Sequence, residues 1–162
     1  MAASPLQNTP YDASDVQVPA FLIGGTGVFD AGTKTASGIS PLGMALIANM
    51  QAINNDTVII GRIRNSDHGD TQPKSLAYVT AWFSYTLLGD GFAAGAFAED
   101  DAEIFCNDSW QDVYNKHSDD LPEDPDPYDP DAANDNILTR IINAIKALFS
   151  KIKDFFSGLF RG

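Results

Sequence analysis

Apolar positions along the chain fall into three regimes. In the first, residues 18–25 read Val-Pro-Ala-Phe-Leu-Ile-Gly-Gly, a short and continuously apolar run that closes on glycines. Continuous rather than alternating apolarity predicts a strand buried on both faces, as in a parallel sheet. A glycine-rich loop, residues 26–32, follows. Ser40-Pro41 predicts a helix start, with Ser40 as N-cap and Pro41 as the first helical residue. Leu42, Ala45, Leu46, Met50 and Ile53 then recur at helical spacing until Asn54-Asn55-Asp56 stops the helix. Residues 57–63 form a second β-branched run and a second predicted strand. The polar stretch 65–70 predicts a turn. A further helix is expected from about Lys74 to Leu88, carrying Leu76, Tyr78, Val79, Trp82, Phe83 and Leu87, and a short one from about Phe92 to Ala98.

Strand, helix, strand, helix is the order of a parallel α/β unit. Two strands are too few for a stable parallel sheet. Residues 1–115 are therefore expected to form the end of a larger α/β sheet.

The second regime, residues 116–136, changes composition abruptly. Between His117 and Asn136 stand eight acidic residues and four prolines, with no lysine or arginine. Repulsion and proline together predict an extended, disordered linker. An EF-hand calcium loop is not expected there, because the central glycine and the glutamate at the twelfth position are missing.

The third regime, residues 137–162, returns to apolar residues at steps of three and four, laying one stripe along a helix. Ile141, Ile145, Phe149, Ile152, Phe155, Phe156 and Phe160 belong to that stripe, and Lys146, Lys151 and Lys153 decorate the other faces. A helix of that length spans about 39 Å. Five basic residues against one acidic give the segment +4, while five basic and twenty-one acidic residues give the remainder −16. A basic polar face opposite an aromatic apolar face suits an anionic membrane surface. A protein partner is the next expectation for the apolar stripe, and the protein's own body the last.

The net charge of −12 repels phosphate backbones and argues against nucleic acid as a partner. The single cysteine, Cys106, has no disulfide or metal-site companion and is expected to be a buried or half-buried thiol. The N-terminus lacks the basic start and apolar run of a signal peptide. No stretch approaches the roughly 20 apolar residues of a membrane span. The compartment stays open, and a secreted or cell-surface parent protein is compatible with all of this.

Candidate chemistry sits after the two strands. Asp30 follows the first by five residues, and His68 follows the second by five. In doubly wound sheets functional groups gather at the carboxyl ends of strands, and adjacent strands lie about 4.8 Å apart. The two loops should be neighbours. A carboxylate that fixes one tautomer of an imidazole, and stabilises its charged form, is what a catalytic triad asks of its acid. Asp67 directly precedes His68, so its side chain is expected to point elsewhere. His117 is expected to be solvated and without a role, and Arg62 and Arg64 to lie at a surface strand end.

Several stretches resemble the final strands and helices of α/β-hydrolases. They are residues 21–30, Phe-Leu-Ile-Gly-Gly-Thr-Gly-Val-Phe-Asp, then Gly38-Ile39-Ser40-Pro41-Leu42, then residues 64–70, Arg-Asn-Ser-Asp-His-Gly-Asp, then residues 78–83, Tyr-Val-Thr-Ala-Trp-Phe. They are most similar to bacterial esterases of the dienelactone-hydrolase, lipase and cutinase-like kind. The resemblance covers about residues 10–112. It implies the chain order Ser, Asp, His, with Asp30 and His68 as second and third members and no cofactor. The sequence departs from the family at the nucleophile: no Gly-x-Ser-x-Gly pentapeptide occurs in it. Gly38-Ile39-Ser40-Pro41-Leu42 lacks the second glycine and the preceding strand. The resemblance thus implies a truncated or split hydrolase, inactive alone, that meets an ester substrate only when completed by the missing half. The alternative is a membrane-surface or partner-binding protein acting through residues 137–162.

Overall fold

In the computed structural model, residues 13–99 and 101–122 are described. They all belong to the first of two units into which the chain divides, residues 1–128. The segment 137–162, with Ile141, Ile145, Lys146, Phe149, Lys151, Ile152, Lys153, Phe155, Phe156 and Phe160, lies outside the described residues, as does most of the acidic linker.

The described residues form an α/β fold on a mixed sheet. Strand β1 (Ala20–Gly25) pairs in parallel with β4 (Val58–Ile63), and the register sets Ala20 against Val58 and Gly25 against Ile63. A third strand, β5 (Trp110–Asn115), runs antiparallel on the far side of β4, giving the order β1-β4-β5. The sequence did not announce β5. Its residues Trp-Gln-Asp-Val-Tyr-Asn are mostly polar, and Asp112 takes a positive φ of 52° where the register with β4 shifts. A bulge at that point breaks the alternation that periodicity relies on. The Arg62 guanidinium meets the Asp112 carboxylate at 2.6 Å across the pair, so Arg62 is a half-buried cross-strand partner and not a surface strand end.

Both faces of the sheet are covered, which accounts for the continuous apolar runs. On one face Val58 and Ile60 pack with Leu42, Leu46, Ile47, Met50 and Ile53. On the other, Ile59 and Ile63 pack with Trp82, Phe97, Ile104 and Trp110, joined by Phe21 and Ile23 of β1. The first layer is a π-helical turn at Leu42–Ile47 continuing into α2 (Ala48–Ala52). Its N-cap is Pro41, without a side-chain capping bond, so Ser40 is not the cap. Ser40 instead donates its backbone N–H to the Asp30 carbonyl at 3.0 Å. Between β1 and that layer the glycine-rich loop contains a single helical turn, α1 (Val28–Ala31), and a minimal hairpin, β2 (Gly32–Thr33) with β3 (Ala36–Ser37).

The second layer is α3 (His68–Leu88), which packs mainly over β1. It begins six residues earlier than the periodicity suggests, because Pro73 reads as a boundary but sits inside the helix. The carbonyl that Pro73 leaves without an N–H belongs to exposed Gly69, where water reaches it. The polar stretch 65–70 is therefore a tight turn only up to Asp67, the N-cap, and helix from His68 on. Two short helices, α4 (Gly91–Ala94) and α5 (Glu103–Cys106), bring Phe97 and Ile104 under α3. The expected helix at 92–98 is cut to four residues. Cys106 is exposed, not buried. The expected disorder from residue 116 starts too early: Leu121 packs against the first core cluster, and the Lys116 ammonium donates to the Ile53 carbonyl.

Candidate active site

The strand ends place the site. Gly25 closes β1 and Ile63 closes β4 in register, so the loops that leave them rise side by side. Asp30, on α1, and His68, the first residue of α3, meet there, with Asp30 Oδ1 3.0 Å from His68 Nδ1. The Asp30 side chain is 1% exposed and that of His68 is 61% exposed. The two residues that the sequence places at equal distances after the strands are brought together. Asp30 Oδ2 accepts the Gly25 N–H at 2.7 Å and the Thr71 hydroxyl at 3.3 Å. All three contacts of the Asp30 carboxylate are with donors or a potential donor, and its backbone N–H donates separately to the Asp67 carboxylate. A carboxylate held this way accepts from Nδ1–H and leaves Nε2 as the basic nitrogen of the imidazole. Nε2 bonds to no described residue. The exposed Phe29 ring stands 5.8 Å from the imidazole, tilted at 42°.

Asp67 does point away from the imidazole, but it is not idle. Its carboxylate accepts the backbone N–H of His68 at 2.9 Å, of Asp30 at 3.1 Å and of Phe29 at 3.1 Å. One side chain thus caps α3 and ties the Asp30 loop to the His68 helix. Partial desolvation alone would raise its pKa. The three backbone amides and the nearby imidazole outweigh that and hold the carboxyl below its ordinary value of 3.8. A depressed folded-state pKa stabilises the fold above the ordinary value, and the contribution is lost as pH falls through the lower one. Asp67→Asn is therefore expected to flatten the acid limb of stability. Thermal midpoints from neutral pH down to about pH 2 check this, and an unchanged acid limb would contradict it.

Backbone proximity holds the loops as firmly as the side chains do. A Cβ on Gly25 would lie 2.4 Å from the Ser66 carbonyl oxygen and 2.8 Å from Asp30 Oδ2. A Cβ on Gly38 would lie 1.9 Å from the Asp30 carbonyl oxygen. The two shortest of these contacts are with backbone carbonyls, which cannot rotate away. Gly25→Ala is expected to lower stability by about 2–3 kcal/mol through forced backbone displacement, read by chemical denaturation with unchanged m-value.

Sequence reasoning missed Asp67, Thr71 and the Gly25 N–H as supports of the pair. An Asp one residue before a helix, with Asp70 three residues on, is an N-terminus signal, and Pro73 masked it. His117 is exposed, with its backbone N–H on Asn115 Oδ1 at 2.9 Å. Among the described residues no group of three His, Cys, Asp or Glu side chains could hold a metal, and no helix is long and apolar enough to cross a membrane. No protein-family model, curated protein or solved structure matches the chain.

Proposed function

We propose that Asp30 and His68 are the acid and base of an ester-hydrolysing triad of the α/β-hydrolase kind, whose nucleophile comes from polypeptide outside these 162 residues. The observation that carries the reading is the 3.0 Å bond from buried Asp30 to His68 Nδ1, with Nε2 left open to solvent. In such a triad Nε2 takes the proton of a hydroxyl as it attacks the ester carbonyl carbon. Asp30 stabilises the imidazolium, which returns the proton to the departing alkoxide. Water then enters by the same route and releases the carboxylic acid.

The open side of the sheet supports completion from outside. Ala20 N–H donates to Thr57 at 3.0 Å, which sets the phase of the parallel ladder. Ala20, Leu22 and Gly24 turn their backbone groups to β4, and Phe21 and Ile23 turn theirs to an edge that no described residue pairs. An uncharged strand of this kind is an edge that proteins normally cover. On α3, Leu76, Phe83 and Leu87 form an exposed apolar stripe. It lies roughly 180° around the helix from Tyr78 and Tyr85, which face Phe97. Tyr78 also reaches Trp110 of β5. Edge and stripe thus both turn away from β5.

The test is complementation. The chain alone is expected to hydrolyse a chromogenic short-chain ester no faster than its His68→Ala variant. Joined to a Gly-x-Ser-x-Gly unit read from the DNA upstream, it should hydrolyse the ester in a His68-dependent way. Activity of the joined protein that survives His68→Ala would overturn the reading.

The charge split favours a second role for residues 137–162, docking on an anionic membrane surface. The full chain is expected to sediment with anionic liposomes and a chain ending at residue 136 is not. Equal sedimentation would sink that role.

A further inference from the structure

A second site lies on the other side of the β4–α3 turn, beyond the reach of the triad reading and independent of it. A cleft of about 460 Å³ opens between the end of β4, the start of β5 and the second turn of α3. That volume falls within the range of small-molecule pockets. Arg64 and Lys74 line it, two of the five cations among the described residues, in a chain of net charge −12. Neither has an acidic residue within ion-pair distance among the described residues. Both are nevertheless positioned. The Arg64 Nε–H donates to the Trp110 carbonyl at 3.0 Å, which leaves the terminal guanidinium nitrogens available. The Lys74 ammonium donates to Ser66 Oγ at 2.7 Å and to the Asn65 carbonyl at 3.2 Å, leaving one N–H unused. Ser66 is itself buried, so the lysine head is anchored from behind. Two cations held by neutral oxygens, and not neutralised, keep their charge for a ligand. Half-buried Tyr78 supplies the aromatic part of the lining, and Trp110, 4% exposed, belongs to the core beneath it. The Tyr78 hydroxyl accepts from Asn107 at 2.8 Å and donates to Glu103, so it is not an anion donor. Asp108 is the one acidic residue on the lining.

We propose that this cleft binds a small organic carboxylate, its anionic end between Arg64 and Lys74 and its apolar body along Tyr78. An inorganic anion satisfies the cations but leaves the aromatic lining unused. A neutral analogue does the reverse. Two exposed cations against one half-buried ring make the ligand's charge the larger contribution, and ionic strength should weaken binding.

The experiment is titration of the full chain with benzoate, benzamide and inorganic phosphate, followed by NMR at the Trp110 indole N–H and the Arg64 side-chain N–H. Benzoate should give saturable shifts at both, benzamide none, and phosphate weaker ones. Arg64→Gln and Lys74→Gln should each raise the benzoate Kd about tenfold, the loss expected for one charge-assisted hydrogen bond. Asp108→Asn should lower the Kd, a tightening that damage to the fold would not produce. Absence of saturable benzoate shifts, equal shifts with benzamide, or an Asp108→Asn variant that binds no tighter would overturn the proposal. Phosphate binding as tight as benzoate would overturn the organic part of the assignment.

Discussion

Asp30→Ala is expected to destabilise the fold by about 2–3 kcal/mol, lowering the thermal midpoint by roughly 10 °C. The reason lies in what the substitution leaves behind. The Gly25 N–H is buried at the end of β1 and its bond to Asp30 Oδ2 is the one it makes. Without the carboxylate that donor has no acceptor, and an unsatisfied buried donor costs about 1–3 kcal/mol. The void where a fully buried side chain stood adds to that. Thr71 is less affected, because its hydroxyl also reaches the Asp67 carbonyl at 3.2 Å. Asp30→Asn should be far milder. The amide oxygen can take the place of Oδ2 and keep both Gly25 and Thr71 bonded. Its NH2 then faces His68 Nδ1, which must present a lone pair. Chemical denaturation of the two variants separates the effects, and equal destabilisation by both would show that Gly25 does not depend on the Asp30 oxygen.

His68→Ala should show the opposite balance. The side chain is 61% exposed, and its losses are one bond to Asp30 and the contact with Phe29. Stability should change by less than about 1 kcal/mol, the usual range for a surface position. In the completed hydrolase, turnover should fall by about 10⁶-fold, because the nucleophile loses its base. Asp30→Asn should cost about 10⁴-fold by locking the wrong tautomer. Ester hydrolysis by the joined protein measures both. A stable His68→Ala variant that keeps most of its activity would remove histidine from the chemistry.

The site was more legible in the sequence than the fold around it. Val58, Ile59 and Ile60 are buried to both sides of the sheet, in keeping with the inner strand that the continuous apolar run predicts. The two glycine-ended or polar-ended strands located Asp30 and His68 five residues past their ends, and parallel register did the rest. What stayed hidden depended on non-local partners. β5 is polar in sequence and is held by the Arg62–Asp112 pair and by Trp110 packing under α3. Asp67 works through three backbone amides, two of them nearly forty residues away in the chain. Pro73 pulled the start of α3 past His68, because proline's local rule says nothing about a solvated carbonyl four residues earlier. The mixed α/β sheet is established, and the hydrolase reading is a proposal that rests on the Asp30–His68 geometry.

The most direct test of that geometry needs no nucleophile. Long-range ¹H–¹⁵N NMR of the imidazole reports which ring nitrogen carries the proton when His68 is neutral. The account predicts Nδ1–H in the unmodified chain, donated to Asp30, and a switch to Nε2–H in Asp30→Asn, where the amide demands a lone pair at Nδ1. A neutral His68 protonated at Nε2 in the unmodified chain would contradict it.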